Sequence, residues 1–176
     1  MAKKNMCYAV IGAGNGGIAM AGYLAKEGFT VNLYNRTLKN IEPLIDNPRI
    51  LLTGEIEGVG TLNIVSDNIK DVISSANVIM VTVPAIGHYN IALEMAPYLK
   101  DGQIIVLNPG RTGGALEVYN TIRKMGCKSN IIVAEAQSLI YACRASSPNA
   151  AHIFKTKKEV SLASIPASEI LYVIDT

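Results

Sequence analysis

The sequence has almost no excess of charge of either sign. Its 16 Lys and Arg against 14 Asp and Glu leave a net charge of +2 at pH 7. No cluster of like charges is longer than the patch from Lys155 to Lys158, which we expect on a solvated surface. Binding to nucleic acid or to a membrane surface through charge needs a larger basic excess. The composition therefore argues against both as the main partner.

Cysteine is scarce as well. Cys7, Cys127 and Cys143 are odd in number and far apart, and no CxxC or Cys/His spacing suits zinc. We therefore expect no metal site, and thiols that stay reduced as they do in a cytoplasm.

The length of 176 residues, with 49% hydrophobic and 17% charged residues, is typical of one soluble globular domain, with or without a short extension. The start, "MAKKNMCYAVIGAGNGGIAMAGYLA", has the basic residues and the apolar stretch of a signal peptide. Asn15 and the neighbouring glycines interrupt that stretch, and Lys26-Glu27 end it. We therefore favour the cytoplasm over secretion.

Five nearly continuous apolar runs predict strands that are buried on both faces of a parallel sheet. They are Cys7 to Ile11, Thr30 to Tyr34, Asn77 to Val83, Gln103 to Leu107 and Asn130 to Ala134. Helices are predicted at Gly16 to Glu27, Leu38 to Ile45, Asp67 to Ser74, Ile86 to Leu99 and Gly113 to Lys124. This alternation predicts the α/β class, with a doubly wound parallel sheet and helices on both of its faces.

Two segments depart from that alternation. In "RILLTGEIEGVGTLNIV", Arg49 to Val65, glycines punctuate short β-branched runs, which predicts a small hairpin inserted between a helix and the sheet. Beyond Ala142 the pattern is looser. The stretch "HIFKTKKEVSLASIP" is compatible with two more strands, and Pro166 with the start of a short helix at Ala167.

A glycine-rich loop joins the first predicted strand to the first predicted helix. Gly12, Gly14 and Gly17 match GxGxxG, in which the glycines serve a tight turn, a close approach to a pyrophosphate, and helix–strand packing. The N–H groups near Asn15, Gly16 and Gly17 are unpaired at a helix start and favour an anion. A lone match can also be a turn that binds nothing. Here the strand–loop–helix context predicts a Rossmann domain that binds a dinucleotide.

The second strand lacks the carboxylate that usually holds the ribose hydroxyls of NAD. No acid occurs between Glu27 and Glu42, and the strand is followed by Asn35, Arg36 and Thr37. A guanidinium and a hydroxyl can hold an adenosine 2′-phosphate through charge-assisted bonds. These residues therefore favour NADP. The alternative is that Arg36 only stacks on the adenine, which NAD also allows.

Two further strand ends are predicted to line the cofactor, because open α/β sheets bind ligands at the carboxyl ends of their strands. Val83, Pro84 and Ala85 follow a central strand and offer apolar and backbone atoms. Asn108 and Pro109 end the next strand, where they either face the nicotinamide ring or form a simple turn.

No residue is a convincing catalyst. We interpret His88 as a helix-capping or surface histidine, because no acid partner is near in sequence, and His152 lies in the loosely patterned tail. Cys143 has no residue to activate it and is better interpreted as a pocket wall. Arg144 could bind a substrate carboxylate or form a surface salt bridge, and the sequence leaves both open.

From Tyr8 to Arg144 the chain resembles the opine dehydrogenases of the octopine and carboxyethyl-norvaline type. The stretches that carry the resemblance are "VIGAGNGGIAMAGYLAKEGF", "LTGEIEGVG", "VIMVTVPAIGH", "LNPGRTGG" and "SLIYACRA". The glycine loop alone is shared with glycerol-3-phosphate and 6-phosphogluconate dehydrogenases. Its combination with Val-Pro-Ala, Asn-Pro-Gly and Ala-Cys-Arg is more specific.

The resemblance implies an enzyme that condenses an amino acid with a 2-oxo acid and reduces the imine with a nicotinamide hydride. It implies a cofactor domain, here residues 1–176, and a helical domain that supplies a catalytic histidine and is absent from this chain. We therefore expect the chain alone to bind its cofactor without turnover. A homodimer through the absent domain is also compatible with it. A glycerol-3-phosphate or hydroxyacid dehydrogenase, or a non-catalytic NAD(P) sensor, remains the alternative.

The substrate residues that the resemblance implies lie near the end of its span. They are Ser138, Cys143 and Arg144. The family often has an acid and a hydroxyl before Ala-Cys-Arg. Here Ser138 keeps the hydroxyl, whereas Gln137 lacks the charge that would bind an ammonium group.

Overall fold

Eleven strands and six α-helices occur in residues 6–176, the part of the chain that the computed structural model describes. The strands are β1 (Cys7–Ile11), β2 (Thr30–Tyr34), β3 (Arg49–Gly54), β4 (Gly58–Thr61), β5 (Ile64–Ser66), β6 (Val78–Val81), β7 (Ile104–Leu107), β8 (Ile132–Ala136), β9 (Tyr141–Ser147), β10 (Ala150–Thr156) and β11 (Leu162–Ile165). The helices are α1 (Asn15–Lys26), α2 (Glu42–Asp46), α3 (Ile69–Ile73), α4 (His88–Met95), α5 (Gly114–Lys124) and α6 (Ile170–Asp175). None of these six combines the length and apolar character needed to cross a bilayer.

Seven strands form one sheet in the order β11-β8-β7-β6-β1-β2-β5. Every residue of β1 and of β7 is buried, which explains why these strands are continuous apolar runs. The five predicted strands are confirmed, with ends that differ by one or two residues in three of them. The predicted doubly wound sheet is confirmed; it is parallel except at β11, a further strand that runs antiparallel to β8. No helical crossover lies between these two strands, so the chain can return in the opposite direction.

Two predicted helices are interrupted. The segment predicted at Leu38 to Ile45 forms a 3₁₀ turn and then α2, which has a proline in its first turn. The segment predicted at Ile86 to Leu99 forms α4 with a 3₁₀ turn on each side, and the second turn contains Pro97. Proline lacks the N–H group that would continue a preceding helix, and its ring clashes with the turn before it.

The predicted hairpin exists, but it belongs to a second sheet. Strands β3 and β4 pair antiparallel, and β3 also pairs in parallel with β10, so that the order is β4-β3-β10-β9. This four-stranded sheet packs on α1, where Ile50 and Leu52 lie against Gly22. The predicted hairpin is therefore confirmed, whereas its place in a larger sheet was not predicted. The partner strand β10 lies about a hundred residues further along the chain, outside any local pattern.

The two faces of the large sheet have separate cores. One core joins the sheet to α1, α2 and the second sheet, with Val10, Leu33 and Leu52 among its buried residues. The other joins it to α3, α4 and α5, with Ile11 and Ile79 among its buried residues. From β1 the chain first adds β2 on one side of the sheet and later adds β6 on the other, so the strand order reverses between β1 and β6. The carboxyl ends of these two strands therefore flank the crevice where such sheets bind ligands.

Candidate cofactor site

The glycine loop turns sharply from β1 into α1. Gly12 has φ of +105°, a conformation that favours glycine, and its N–H donates to the Tyr34 carbonyl over 2.8 Å. The hydroxyl of Thr82, just after β6, donates to the carbonyls of Ile11 and Gly12 over 3.0 Å each. Contacts from both neighbouring strands therefore hold the loop in place.

The three glycines of the motif differ in what surrounds them. A Cβ on Gly17 would lie 1.7 Å from the Gly12 carbonyl oxygen, so Gly17 serves the packing of α1 against the turn. A Cβ on Gly14 would have no protein atom within 4 Å, and its backbone is extended. Protein packing does not require glycine at that position. The open space there suits a pyrophosphate that approaches the unpaired N–H groups at the start of α1.

The end of β2 lies beside this loop. The side-chain oxygen of Asn35 accepts from the Ala13 N–H over 3.1 Å, and its amide nitrogen donates to the Thr37 carbonyl over 2.9 Å. Asn35 therefore joins the glycine loop to the segment after β2 and positions it. Arg36 and Thr37 are exposed on the wall of a cavity of about 440 Å³. Among residues 6–176, Arg36 makes no ion pair.

The same cavity is lined by Gly12 and by Val83 and Pro84, as predicted from the end of β6. Ala85 instead borders a smaller cavity beside His88. The α4 wall contributes Glu94, whose carboxylate accepts a hydrogen bond from the hydroxyl of Tyr34 over 2.6 Å. Burial, reinforced by this bond, raises the pKa of Tyr34 above its ordinary value, so the phenol stays protonated and donates.

Asn108 and Ser138 border a different and larger cavity of about 620 Å³. Asn108 follows β7 and Ser138 follows β8, so both lie beyond the carboxyl ends of adjacent parallel strands. The amide of Asn108 is buried and donates to the Val106 carbonyl over 2.9 Å. Pro109 follows it through a cis peptide bond. The turn that the sequence allowed here is therefore present, with a polar side chain on the cavity wall.

Cys143 and Asn15 meet at the start of α1. The Asn15 side-chain oxygen accepts from the Ala145 N–H over 2.9 Å, and the Cys143 thiol donates to the Asn15 carbonyl over 3.4 Å. Burial raises the pKa of Cys143, which suits a wall rather than a nucleophile. Arg144 lies on the face of the second sheet opposite to that of its neighbour Cys143. Its partner on the adjacent strand β10 is His152. Arg144 is exposed and makes no ion pair among residues 6–176.

His88 is not the surface or capping histidine that we expected from the sequence. Its side chain is completely buried, and neither ring nitrogen makes a hydrogen bond within the described part of the chain. It packs under the start of α5, where Gly114 has no side chain to exclude the ring. Burial lowers the pKa of His88, an effect that Glu117, the backbone of Val83 and Glu135 oppose only in part.

The parallel sheet, the open space at Gly14 and the cavity at the end of β2 together define an NAD(P)-binding domain. Residues 7–124 match the family described as the NAD binding domain of 6-phosphogluconate dehydrogenase. The chain belongs to this family. Within residues 6–176, no three His, Cys, Asp or Glu side chains are grouped closely enough to hold a metal ion.

The curated relatives include two types of dehydrogenase. An opine dehydrogenase of Arthrobacter sp. (strain 1C) is 34% identical over 167 residues, which are 94% of this chain and 46% of that protein. A glycerol-3-phosphate dehydrogenase [NAD(P)+] of Fusobacterium nucleatum is 31% identical over 104 residues, which are 55% of this chain and 29% of that protein. The chain thus spans less than half the length of both relatives. The predicted resemblance to opine dehydrogenases is confirmed.

Solved structures show the same fold. Octopine dehydrogenase in complex with NADH and agmatine has a TM-score of 0.78 and 20% identity, covering 91% of this chain and 42% of that one. Yersinopine dehydrogenase with bound NADP+ has a TM-score of 0.75 and 21% identity, covering 92% of this chain and 41% of that one. Neighbours of this fold therefore bind either cofactor.

The sequence did not point to Tyr34, Thr82 or Glu94. Thr82 and Tyr34 directly precede predicted cofactor residues, so a search one position further back would have found both. Glu94 is the second-last residue of α4 and has apolar neighbours in the sequence, where a lone acid resembles any solvated side chain. Only the distance to Tyr34 reveals its place in the cavity.

Proposed function

We propose that this chain is the cofactor-binding part of an opine-type dehydrogenase. Such an enzyme joins an amino acid to a 2-oxo acid and reduces the product, yielding a secondary amine with two carboxylates, water and the oxidised cofactor. The proposal rests on the fraction of the chain that aligns with each relative. The Arthrobacter opine dehydrogenase aligns with 94% of the chain, whereas the Fusobacterium glycerol-3-phosphate dehydrogenase aligns with 55%.

The chain's own residues bind and orient the cofactor. The N–H groups after Gly14 hold the pyrophosphate, and Arg36 with Thr37 holds a 2′-phosphate at the end of β2. These roles give a preference for NADPH, which supplies the hydride when bound. Val83 and Pro84 exclude water from one wall. The proposal rests on the shared cavity of these residues and on the absence of a carboxylate directly after β2.

In a change from the sequence prediction, the substrate side of the proposal involves Asn108 together with Ser138 and Cys143, because Asn108 does not line the cavity of Gly12 and Arg36. Asn108 and Ser138 line one cavity at the ends of β7 and β8, and Cys143 contacts the start of α1. They can position a polar substrate beside the cofactor crevice. Arg144, on the other face of the second sheet, contributes to this site only if that face also meets the substrate.

We propose that the proton donor lies outside residues 1–176. Reduction of an imine needs a donor within hydrogen-bond reach of the reacting nitrogen. His88 is fully buried under α5, and His152 lies on the second sheet, where its Nδ1 is 2.9 Å from the Thr53 hydroxyl. The chain alone is therefore expected to bind NADPH without turning it over.

The experiment compares the 176-residue chain with a longer product that continues through the segment encoded after Thr176. Each is given NADPH, a set of 2-oxo acids and a set of amino acids. Only the longer product should oxidise NADPH, and mass spectrometry should show an amine equal in mass to the two substrates, minus water, plus two hydrogens. Turnover by the 176-residue chain would contradict the placement of the donor.

Two controls separate the alternatives. Gly14→Val should abolish NADPH binding while leaving the unfolding temperature nearly unchanged, because its side chain would extend into open space. Dihydroxyacetone phosphate replaces both substrates in a parallel assay, since glycerol-3-phosphate dehydrogenases are also relatives. Oxidation of NADPH with that ketone alone would favour the second candidate function. Binding with no turnover of any substrate by the longer product would favour a sensor.

A further inference from the structure

The cofactor cavity contains one carboxylate that the roles above leave unused. Glu94 reaches the cavity from α4 and is half-buried. Its Oε2 accepts from Tyr34, and within residues 6–176 its other oxygen has no hydrogen-bond partner. Although Arg36 lines the same cavity, the two charges form no ion pair. The cavity therefore offers an acceptor and a donor at separate points.

The position of the carboxylate is fixed rather than free. Tyr34 is almost completely buried at the end of β2, and its phenol keeps its proton, so the bond to Glu94 persists. A side chain held in one rotamer loses less entropy when it binds a ligand than a mobile one does. The Glu94 carboxylate, which lines the cavity, can thus bind a ligand at little entropic cost.

The adenosine half of the cofactor belongs in this cavity. The pyrophosphate site at the glycine loop adjoins it through Gly12, and the 2′-phosphate site at Arg36 lies on its wall. The base that is attached to the same ribose therefore meets the α4 wall. An ionised carboxylate is an acceptor only, so it pairs with a donor on the base. Adenine offers one exocyclic donor, the N6 amine.

We propose that Glu94, held by Tyr34, accepts a hydrogen bond from the N6 amine of adenine and selects an adenine dinucleotide. This inference rests on the proposed cofactor role of the cavity and adds base recognition to it. Hypoxanthine carries a carbonyl oxygen where adenine carries the amine. That oxygen faces the carboxylate without a proton between them. A site that leaves a polar group unpaired in this way rejects the analogue.

The test uses the 176-residue chain and two fluorescent ligands, NADPH and its deaminated hypoxanthine analogue. The wild type should bind NADPH about tenfold more tightly or better, as one charge-assisted bond allows. Glu94→Gln should bring the ratio of the two dissociation constants close to one, because an amide can accept from the amine or donate to the carbonyl. Glu57→Gln, an exposed acid outside the cavity, makes the same change in charge and should leave the ratio unchanged.

Tyr34→Phe is a second variant that keeps the ring in the core and frees the carboxylate. It should lower the ratio part of the way, since Glu94 is then present but not held. A wild-type ratio near one, or an unchanged ratio in Glu94→Gln, would overturn the role of Glu94 while NADPH binding stands. Failure of the wild type to bind either dinucleotide would overturn the proposed function, and this inference with it.

Discussion

The guanidinium of Arg36 lies exposed beside the glycine loop, on the wall of the cofactor cavity. We expect Arg36→Ala to weaken NADPH binding by about 1.5–3 kcal/mol, because a charge-assisted contact to the 2′-phosphate is lost. NADH, which lacks that phosphate, should be affected far less. Fluorescence titration of both cofactors measures the difference.

The matched control is Arg49→Ala, an exposed arginine on β3 outside the cavity, which should change neither affinity. An equal loss for NADPH and NADH in Arg36→Ala would disprove the 2′-phosphate contact. It would leave stacking on the adenine as the role of Arg36.

At the scale of single residues, the sequence predicts what a local motif dictates. Gly12, Gly14 and Gly17 have the separate environments that their spacing indicates. Residues whose role depends on a distant partner are not predicted in the same way. His88 is buried because Gly114, on another helix, leaves room for its ring. No sequence pattern around His88 or Gly114 predicts this contact.

At the scale of elements, the packing of the second sheet on α1 can be tested with two adjacent residues. Ile50 is fully buried, whereas Leu51, on the opposite face of β3, is 49% exposed. Ile50→Ala should lower the free energy of unfolding by about 2–5 kcal/mol, since it leaves a cavity in the core. Leu51→Ala should cost about 0.5 kcal/mol or less. Chemical denaturation measures both variants, and equal losses would show that the sheet does not depend on its contact with α1.

Five of the seven strands of the large sheet were predictable, because burial on both faces makes these strands apolar runs. The second sheet was only half predictable. The hairpin of β3 and β4 is local and has glycines at its turn, whereas the pairing of β3 with β10 joins segments about a hundred residues apart. The direction of β11 was not predictable either, because strand pattern does not encode whether a neighbour is parallel.

The free energy of unfolding of the whole protein should fall in mild acid because of one side chain, that of His88. Burial lowers the pKa of His88 below its ordinary value of 6.5, so below that pH the unfolded chain takes up a proton that the folded chain does not. The contribution of the neutral imidazole to the free energy of unfolding is fully present above pH 6.5. It is lost as the pH falls towards the pKa that His88 has in the folded chain. His88→Leu removes this contribution.

Thermal unfolding of both proteins at about pH 7.5 and about pH 5.5 tests this expectation. The decrease in unfolding temperature between the two values should be smaller in His88→Leu than in the wild type. At the higher pH the variant should be at least as stable, because the two unpaired ring nitrogens are gone. An identical decrease in both proteins would show that other groups cause all of the acid sensitivity.

The contact between Asn15 and Ala145 bears on the order in which the protein is assembled during synthesis. The side chain that fixes the start of α1 bonds to a residue 130 positions later in the chain, and Leu139 packs against Gly16 from the same region. A ribosome adds about 5–20 residues per second. The first helix therefore emerges several seconds before the strand that secures it. The glycine loop therefore reaches its final shape only after about 130 further residues have been translated.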